Sequence, residues 1–129
     1  QGIEQTPADS SLRLMLSRLF FKLGDNNSAF EVLSKHPYNS LANDDLVSFR
    51  AALAEKIGQY ENAQKDYQIL IQRNPSEAKW WLGLGVSQDK QKLSKQAISS
   101  YQQAQSLNQL SQQINSFMTT RIQLLMGSI

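Results

Sequence analysis

Apolar residues recur every three or four positions along most of the chain, the spacing expected of helices that bury one face. The first such stretch begins at a cap at Asp9 or Ser10 and runs to about Leu23, with apolar side chains at Leu12, Met15, Leu16, Leu19, Phe20 and Leu23. Further stretches carry Ala29 to Leu33, Leu46 to Ile57, Tyr60 to Arg73, positions 76–89, Ala97 to Leu107, and Ile114 to Leu125. The pattern predicts an all-α chain of seven helices.

Glycine, proline and short polar side chains mark the ends of these helices. Gly24 and Gly58 each follow a predicted helix, where a left-handed residue closes the C-terminus. Lys92 lies 34 residues after Gly58, where a third glycine would be expected, so we expect that turn to close in another way. Pro37 stops the second helix early and opens a loop that extends to Ala42. The later N-caps are predicted at Asp25 to Ser28, Asn43 or Asp44, Ser76, Ser94 and Ser111.

A fixed period organises these helices. Ala29, Ala63 and Ala97 are separated by 34 residues, and a large side chain follows each of them four positions later. A period of this length is typical of arrays in which one helical hairpin stacks on the next. We expect three hairpins, at about 10–42, 44–75 and 76–109, sealed by a last helix at 111–126. Residues 1–8 are predicted to be a flexible end, and residues 9–129 a single domain.

The second and third copies resemble the tetratricopeptide repeat (TPR), in which W-x2-L-G-x2-Y is followed by A-x3-F and then P. The matching residues are Trp81, Leu84 and Gly85, then Ala97 and Tyr101, and in the preceding copy Ala63, Tyr67 and Pro75. Three positions of the motif differ. Gln88 replaces the tyrosine of the third copy, and Val47 and Arg13 replace the tryptophan in the second and first copies. Gln109 and Leu41 replace the final proline in the third and first copies. The resemblance implies a right-handed superhelix, an α-solenoid of three hairpins and a capping helix, whose first helices line a groove.

Some positions on the first helices are left facing that groove. They are Leu14, Arg18 and Phe21 in the first copy, Ser48, Ala52 and Glu55 in the second, and Lys79, Leu82, Val86 and Asp89 in the third. This mixture of apolar and lightly charged side chains suits an extended or helical segment of a partner protein. TPR modules that grip a chaperone's C-terminal carboxylate resemble one another in using lysine, asparagine and arginine there. Only Lys79 fits that pattern, while Leu14 and Phe49 do not, so a carboxylate clamp is not expected.

The composition argues against several other kinds of chemistry. The chain has no cysteine for a disulfide or a thiolate metal site, and a formal net charge of +2 gives no reason to expect nucleic acid. No apolar run reaches the ~18 residues of a membrane span. The only histidine, His36, is predicted to be an exposed loop residue without a catalytic partner. We therefore expect no enzyme activity, no metal and no cofactor.

Two local features have structural interpretations. Gly83 and Gly85 lie inside a predicted helix and lack the third glycine of a phosphate loop, so we expect them to allow close helix packing. Trp80 and Trp81 could stack nucleic-acid bases, but aromatic residues at helical spacing more often belong to a core. We expect this pair to pack in the core.

A narrower resemblance covers the second half of the chain. The residues concerned are Gly58 to Ala63, Pro75, Lys79 to Val86, Ala97 to Ala104, Leu110 and Ser111, and Arg121 and Ile122. They are similar to the C-terminal TPR region of MshN-type proteins, which serve biogenesis of the mannose-sensitive haemagglutinin (MSHA) type IV pilus. This resemblance implies a bacterial periplasmic location and an inner-membrane anchor upstream of Gln1.

These observations lead to three functional hypotheses. The first is a non-enzymatic scaffold for protein–protein interaction in assembly of an MSHA-like type IV pilus or a related envelope secretion machine. The second is a cytosolic TPR adaptor, similar to a co-chaperone, that binds a partner peptide. The third is an enzyme, for which the sequence offers no catalytic constellation. Self-association is a further option, because the ends of such arrays often stack.

Overall fold

The computed structural model describes the backbone of residues 7–38 and 42–129, and the side chains of these ranges from Asp9 onward. The described residues form no strand and seven helices: α1 (Pro7–Lys22), α2 (Asn26–Ser34), α3 (Asp44–Lys56), α4 (Tyr60–Arg73), α5 (Ala78–Lys90), α6 (Ser94–Ser106) and α7 (Gln112–Gly127). The predicted all-α fold is confirmed. The flexible end predicted at 1–8 falls on residues 1–6, which are outside the described residues, and on the first two residues of α1. Part of the loop predicted after Pro37 is also outside them.

Several predicted N-caps are confirmed. Side-chain oxygens of Asp25, Asn43 and Ser111 accept hydrogen bonds from the backbone amides three residues later, at 3.0, 2.9 and 3.2 Å. Each bond satisfies an amide that has no partner within its own helix, which fixes where α2, α3 and α7 begin.

The caps predicted at Asp9 or Ser10, at Ser76 and at Ser94 are wrong. α1 begins earlier, at Pro7, because proline suits the first turn of a helix. α5 follows Glu77, and its first amide, that of Ala78, donates to the side chain of Gln109 at 2.8 Å. Gln109 lies in the connection between α6 and α7, so a side chain from the far end of the hairpin, rather than Ser76, supplies the acceptor for this amide. α6 begins at the serine itself, after Leu93.

Each helix packs mainly against its neighbours in sequence. The pairs α1–α2, α3–α4 and α5–α6 form hairpins, and the contacts α2–α3, α4–α5 and α6–α7 join them in a row. α7 covers the third hairpin with the buried residues Met118, Ile122 and Leu125. Its outer side carries the exposed apolar side chains Leu124 and Met126.

Small residues set the distance between helices in this array. Ala29, Ala63 and Ala97 expose no surface, in line with their equivalent places in the repeat. On α5, Gly83 lies against the ring of Tyr67, and Gly85 lies against the ring of Tyr101. A Cβ atom added at Gly85 would stand 2.8 Å from Cδ1 of Tyr101. The close packing predicted for these glycines is confirmed.

The turns within the three hairpins share one backbone conformation. Gly24 and Gly58 have φ angles of 82° and 81°, and Lys92 has a φ of 65°. The expectation that the third turn closes in another way is therefore wrong. It closes in the same left-handed conformation, at the steric cost that a side chain pays there.

His36 is buried, so its predicted place in an exposed loop is wrong. Its Nε2 lies 3.2 Å from Ser10 Oγ, and its carbonyl oxygen accepts a 2.7 Å hydrogen bond from Nη1 of Arg50. Arg50 is fully buried as well, pairs with Asp66, and stacks on the ring of Tyr38 at 3.7 Å. The loop after α2 turns inward because these polar groups satisfy one another there.

The apolar core has two parts that meet at α5. The first cluster runs from Leu14 to Leu84, and the second from Ala97 to Leu125. Trp81 packs against both clusters and donates from Nε1 to the carbonyl oxygen of Pro75 at 2.8 Å, while Trp80 packs against the first. Both tryptophans are half-buried and pack against the core from its edge, so the predicted packing is confirmed but neither side chain is fully enclosed.

Candidate partner-binding groove

The helices α1, α3, α5 and α7 line three neighbouring depressions, which we call the groove. The central depression, between α3 and α5, has a volume of about 480 Å³. It brings together five of the ten residues predicted to face a partner, namely Ala52, Glu55, Lys79, Leu82 and Val86. Its remaining lining consists of Lys56, Tyr60, Tyr67, Gly83 and Lys90.

The end of the groove between α1 and α3 is also mostly apolar. Leu14 and Arg18 line this depression, although Leu14 is itself buried. Phe21 makes an edge-to-face contact with Phe49, with 5.5 Å between ring centroids, and Arg18 lies 5.9 Å from the same ring. Ser48 is half-buried and does not line the depression. These four residues stay predictions as partner contacts.

Asp89 lies in the third depression, between α5 and α7, and its carboxylate is already engaged. Arg121 donates to both of its oxygens at 2.8 Å, and Tyr101 donates to one of them at 2.9 Å. The hydrogen bonds from Arg121, and to a lesser degree the one from Tyr101, hold the pKa of Asp89 below its ordinary value. Asp89 therefore anchors α7 to α5, a role that the sequence did not indicate.

The same acid–tyrosine pair occurs one repeat earlier. Tyr67 donates to Glu55 at 2.8 Å, and both residues lie 34 positions before their counterparts Tyr101 and Asp89. Burial raises the pKa of the Glu55 carboxyl, and the hydrogen bond from Tyr67 partly opposes that shift. Burial is also the main reason that the pKa of Tyr67 is raised. In each pair, a second-helix tyrosine positions a groove-facing acid.

A periodic row of lysines follows one edge of the groove. Lys22, Lys56 and Lys90 are the last residues of α1, α3 and α5, and they are 34 residues apart. Each is exposed and lines a depression of the groove. A cation at a helix C-terminus is stabilised by the helix dipole, which accounts for the position. The sequence analysis missed this row, although the 34-residue period contained the signal.

Two kinds of feature are absent from the part of the chain that the structure describes. Among the described residues, no three His, Cys, Asp or Glu side chains are grouped closely enough to hold a metal ion. None of the helices in the described ranges has the length and hydropathy needed to cross a bilayer. The chemistry on offer is apolar contact and charge–charge attraction.

A family model described as tetratricopeptide repeat matches residues 50–111. The first TPR of Spaghetti (RPAP3), bound to the HSP90 peptide SRMEEVD, superposes with a TM-score of 0.72 over 96% of this chain and 98% of that chain, at 19% identity. The chain has a tetratricopeptide-repeat fold. The TPR assignment of the sequence analysis is thereby confirmed for the fold.

Other TPR structures have a similar fold. A tetratricopeptide repeat protein from Parabacteroides merdae is 20% identical, with a TM-score of 0.74 over 95% of this chain and 48% of that chain. The second TPR domain of human RPAP3, in complex with the HSP70 peptide SGPTIEEVD, is 22% identical, with a TM-score of 0.68 over 90% of this chain and 97% of that chain. A comparison with curated proteins found no match.

Proposed function

We propose that this chain is a non-enzymatic interaction module whose groove holds a segment of a partner protein during assembly of a type IV pilus or a related envelope machine. The observation that carries the binding function is the central depression, where an apolar floor lies beside a lysine edge. An extended or helical segment gains both hydrophobic and electrostatic contacts from such a surface.

The groove defines the chemistry of that segment. Ala52, Leu82 and Val86 offer small apolar contacts, which suit apolar side chains of the partner. Lys56 and Lys90 flank this floor and are one repeat apart, so they suit acidic side chains at a matching spacing. Glu55 is held by Tyr67 and compensates only part of this positive charge. The partner segment should therefore carry apolar side chains towards the floor and acidic side chains towards the two lysines.

A charge reversal tests the role of the groove. The chain with both Lys56→Glu and Lys90→Glu should capture pilus or secretion components from a bacterial envelope fraction far less than the wild type. A matched control reverses Lys65 and Lys95, which lie on α4 and α6 and do not line the groove. Equal losses in both double variants would show that net charge, rather than the groove, governs capture.

The pilus role and the periplasmic location rest on the sequence resemblance to MshN-type proteins. A tethered periplasmic module would lie where pilus subunits and their assembly proteins are found. Capture of pilus or secretion components supports this assignment, and capture of cytosolic proteins alone contradicts it. Fusion of the full-length protein to a reporter that is active only outside the cytosol tests the location independently.

The second candidate is a cytosolic adaptor that binds a partner peptide. It is favoured by the similar structures, two of which contain the peptides SRMEEVD and SGPTIEEVD from HSP90 and HSP70. Against it, Leu14 is buried and Phe49 packs on Phe21, so two positions of a carboxylate clamp are apolar. Titration with SRMEEVD and with its C-terminal amide separates the candidates. Tight binding that requires the free carboxylate would favour the adaptor.

A further inference from the structure

α1 presents an apolar face to solvent. Its buried side consists of Ser10, Leu14 and Ser17. The opposite side carries what we call the α1 stripe: Leu12, Met15, Leu16, Leu19 and Leu23, with exposed fractions between 45% and 72%. Most exposed large apolar side chains of the described residues are on or next to this one helix. A continuous patch of this kind marks an interaction site more often than scattered apolar residues do.

The repeat shows what kind of surface the α1 stripe is. Its five residues lie 34 positions before Leu46, Phe49, Arg50 and Leu53 of α3 and Ile57, the residue that follows α3. Those five residues are buried or half-buried, and α3 packs there against the first hairpin. The α1 stripe is thus equivalent to a surface that the array covers with another helix. On α1 it has no such cover among the described residues.

We propose that a second copy of this chain covers the α1 stripe, with the two α1 helices packed antiparallel about a twofold axis. A twofold contact brings the same surface of both copies together, so that each stripe covers the other and the assembly closes as a dimer. The α1 stripe also lines the depression between α1 and α3, so this pairing closes that end of the groove, whereas the lysines of the central depression, on α3 and α5, stay accessible.

Charge and area both fit this arrangement. Asp9 is near the start of α1, whereas Arg18 and Lys22 are near its end, so antiparallel packing sets the acidic end of one helix against the basic end of the other. The α1 stripe exposes on the order of 500 Å² in each copy, so the pair would bury about 1,000 Å², at the low end for specific interfaces. The dimer should therefore dissociate on dilution.

Light scattering over a range of concentrations tests the pairing. The wild-type mass should rise towards twice that of the monomer, while Leu16→Glu and Leu19→Glu should stay monomeric with unchanged helix content, because both side chains are already exposed. The matched control is Leu124→Glu, at an exposed position on α7. A wild type that stays monomeric overturns the proposal, as does an equal loss of association in the control.

Cross-linking tests the orientation, and the absence of cysteine from the sequence makes single-cysteine variants clean probes. Antiparallel packing predicts that a short dimaleimide joins Leu12→Cys of one copy to Leu19→Cys of the other in a mixture of the two variants. Each variant alone should cross-link less. The reverse pattern, or growth into larger oligomers, overturns the antiparallel twofold pair.

Discussion

Arg50 and Asp66 form a two-armed ion pair in which both nitrogen–oxygen distances are 2.8 Å and neither side chain exposes any surface. Arg50 also donates to the carbonyl oxygens of Leu33 and His36, at 3.0 and 2.7 Å. Because these acceptors lie at the end of the first hairpin and Asp66 lies in the second, one guanidinium joins two repeats. The join between these hairpins therefore depends on a buried charge as well as on apolar packing.

Removal of one partner should be costly. Asp66→Ala leaves the Arg50 charge buried and unpaired, so we expect a loss of roughly 3–5 kcal/mol in the free energy of unfolding, measured by urea denaturation. Asp44→Ala serves as the control, since the Asp44 carboxylate is mostly exposed in its ion pair with Arg73 and the pair contributes within about 1 kcal/mol. Comparable small losses in both variants would contradict the structural role of the buried pair.

Gly85 should not tolerate a methyl group. Gly85→Ala forces a Cβ atom into the buried ring of Tyr101, and such overpacking costs about 1–3 kcal/mol. Gly127→Ala is the matched control, because an added Cβ meets nothing near that helical glycine. The control should gain up to about 1 kcal/mol from helix propensity. Thermal unfolding followed by circular dichroism measures both, and a stable Gly85→Ala variant would show that the helices can separate.

Lys92→Gly should stabilise the chain. Lys92 has a φ of 65°, in the left-handed region that glycine adopts without strain, and Gly24 and Gly58 have that conformation in the other hairpins. Relief of this strain should raise the free energy of unfolding by about 1 kcal/mol. Lys90→Gly, in the last turn of α5, should have the opposite sign because it puts glycine into a helix. If both substitutions destabilise the protein, strain at Lys92 is not significant.

The ion pair between Asp89 and Arg121 should make stability depend on pH. The folded pKa of Asp89 is lowered, so the contribution is complete above the unfolded pKa and is lost as the pH falls through the folded value. Asp89→Asn should cost roughly 1–2 kcal/mol near neutral pH. The difference from the wild type should shrink below about pH 4.

Urea denaturation at a series of pH values measures this effect. Arg121→Gln removes the other partner and should reproduce the pH dependence of Asp89→Asn, because Arg121 is the main cause of the lowered pKa. A difference between wild type and Asp89→Asn that stays constant down to low pH would rule out the pair as its source.

The sequence predicted those parts of the fold that depend on local and periodic signals. Helix spacing, the alanines at 29, 63 and 97, and the glycines of α5 are readable because each repeat places them in the same environment. His36 and Arg50 were not predictable in this way, since a loop of the first repeat and helices of the second bring them together. The pattern also shows that α1 is apolar without showing what covers it.

The groove was predictable to a similar extent. The sequence analysis assumed that the first helix of each hairpin turns the same positions towards the groove. Ala52, Leu82 and Val86 are at such positions, and they do line one depression. The same assumption made the carboxylates of Glu55 and Asp89 available to a partner, although each accepts a hydrogen bond from a tyrosine of the second helix. Such pairings join two helices of a hairpin, so they cannot be read from the spacing within one helix.

The place of Trp81 gives the protein a built-in optical probe. The chain has two tryptophans, both on α5, and one of them touches both halves of the core. The indole is half-buried, so loosening between those halves would expose more of it to water and would shift its emission to longer wavelength. Fluorescence of the unlabelled protein can therefore show whether a bound partner spreads or tightens the solenoid at its midpoint.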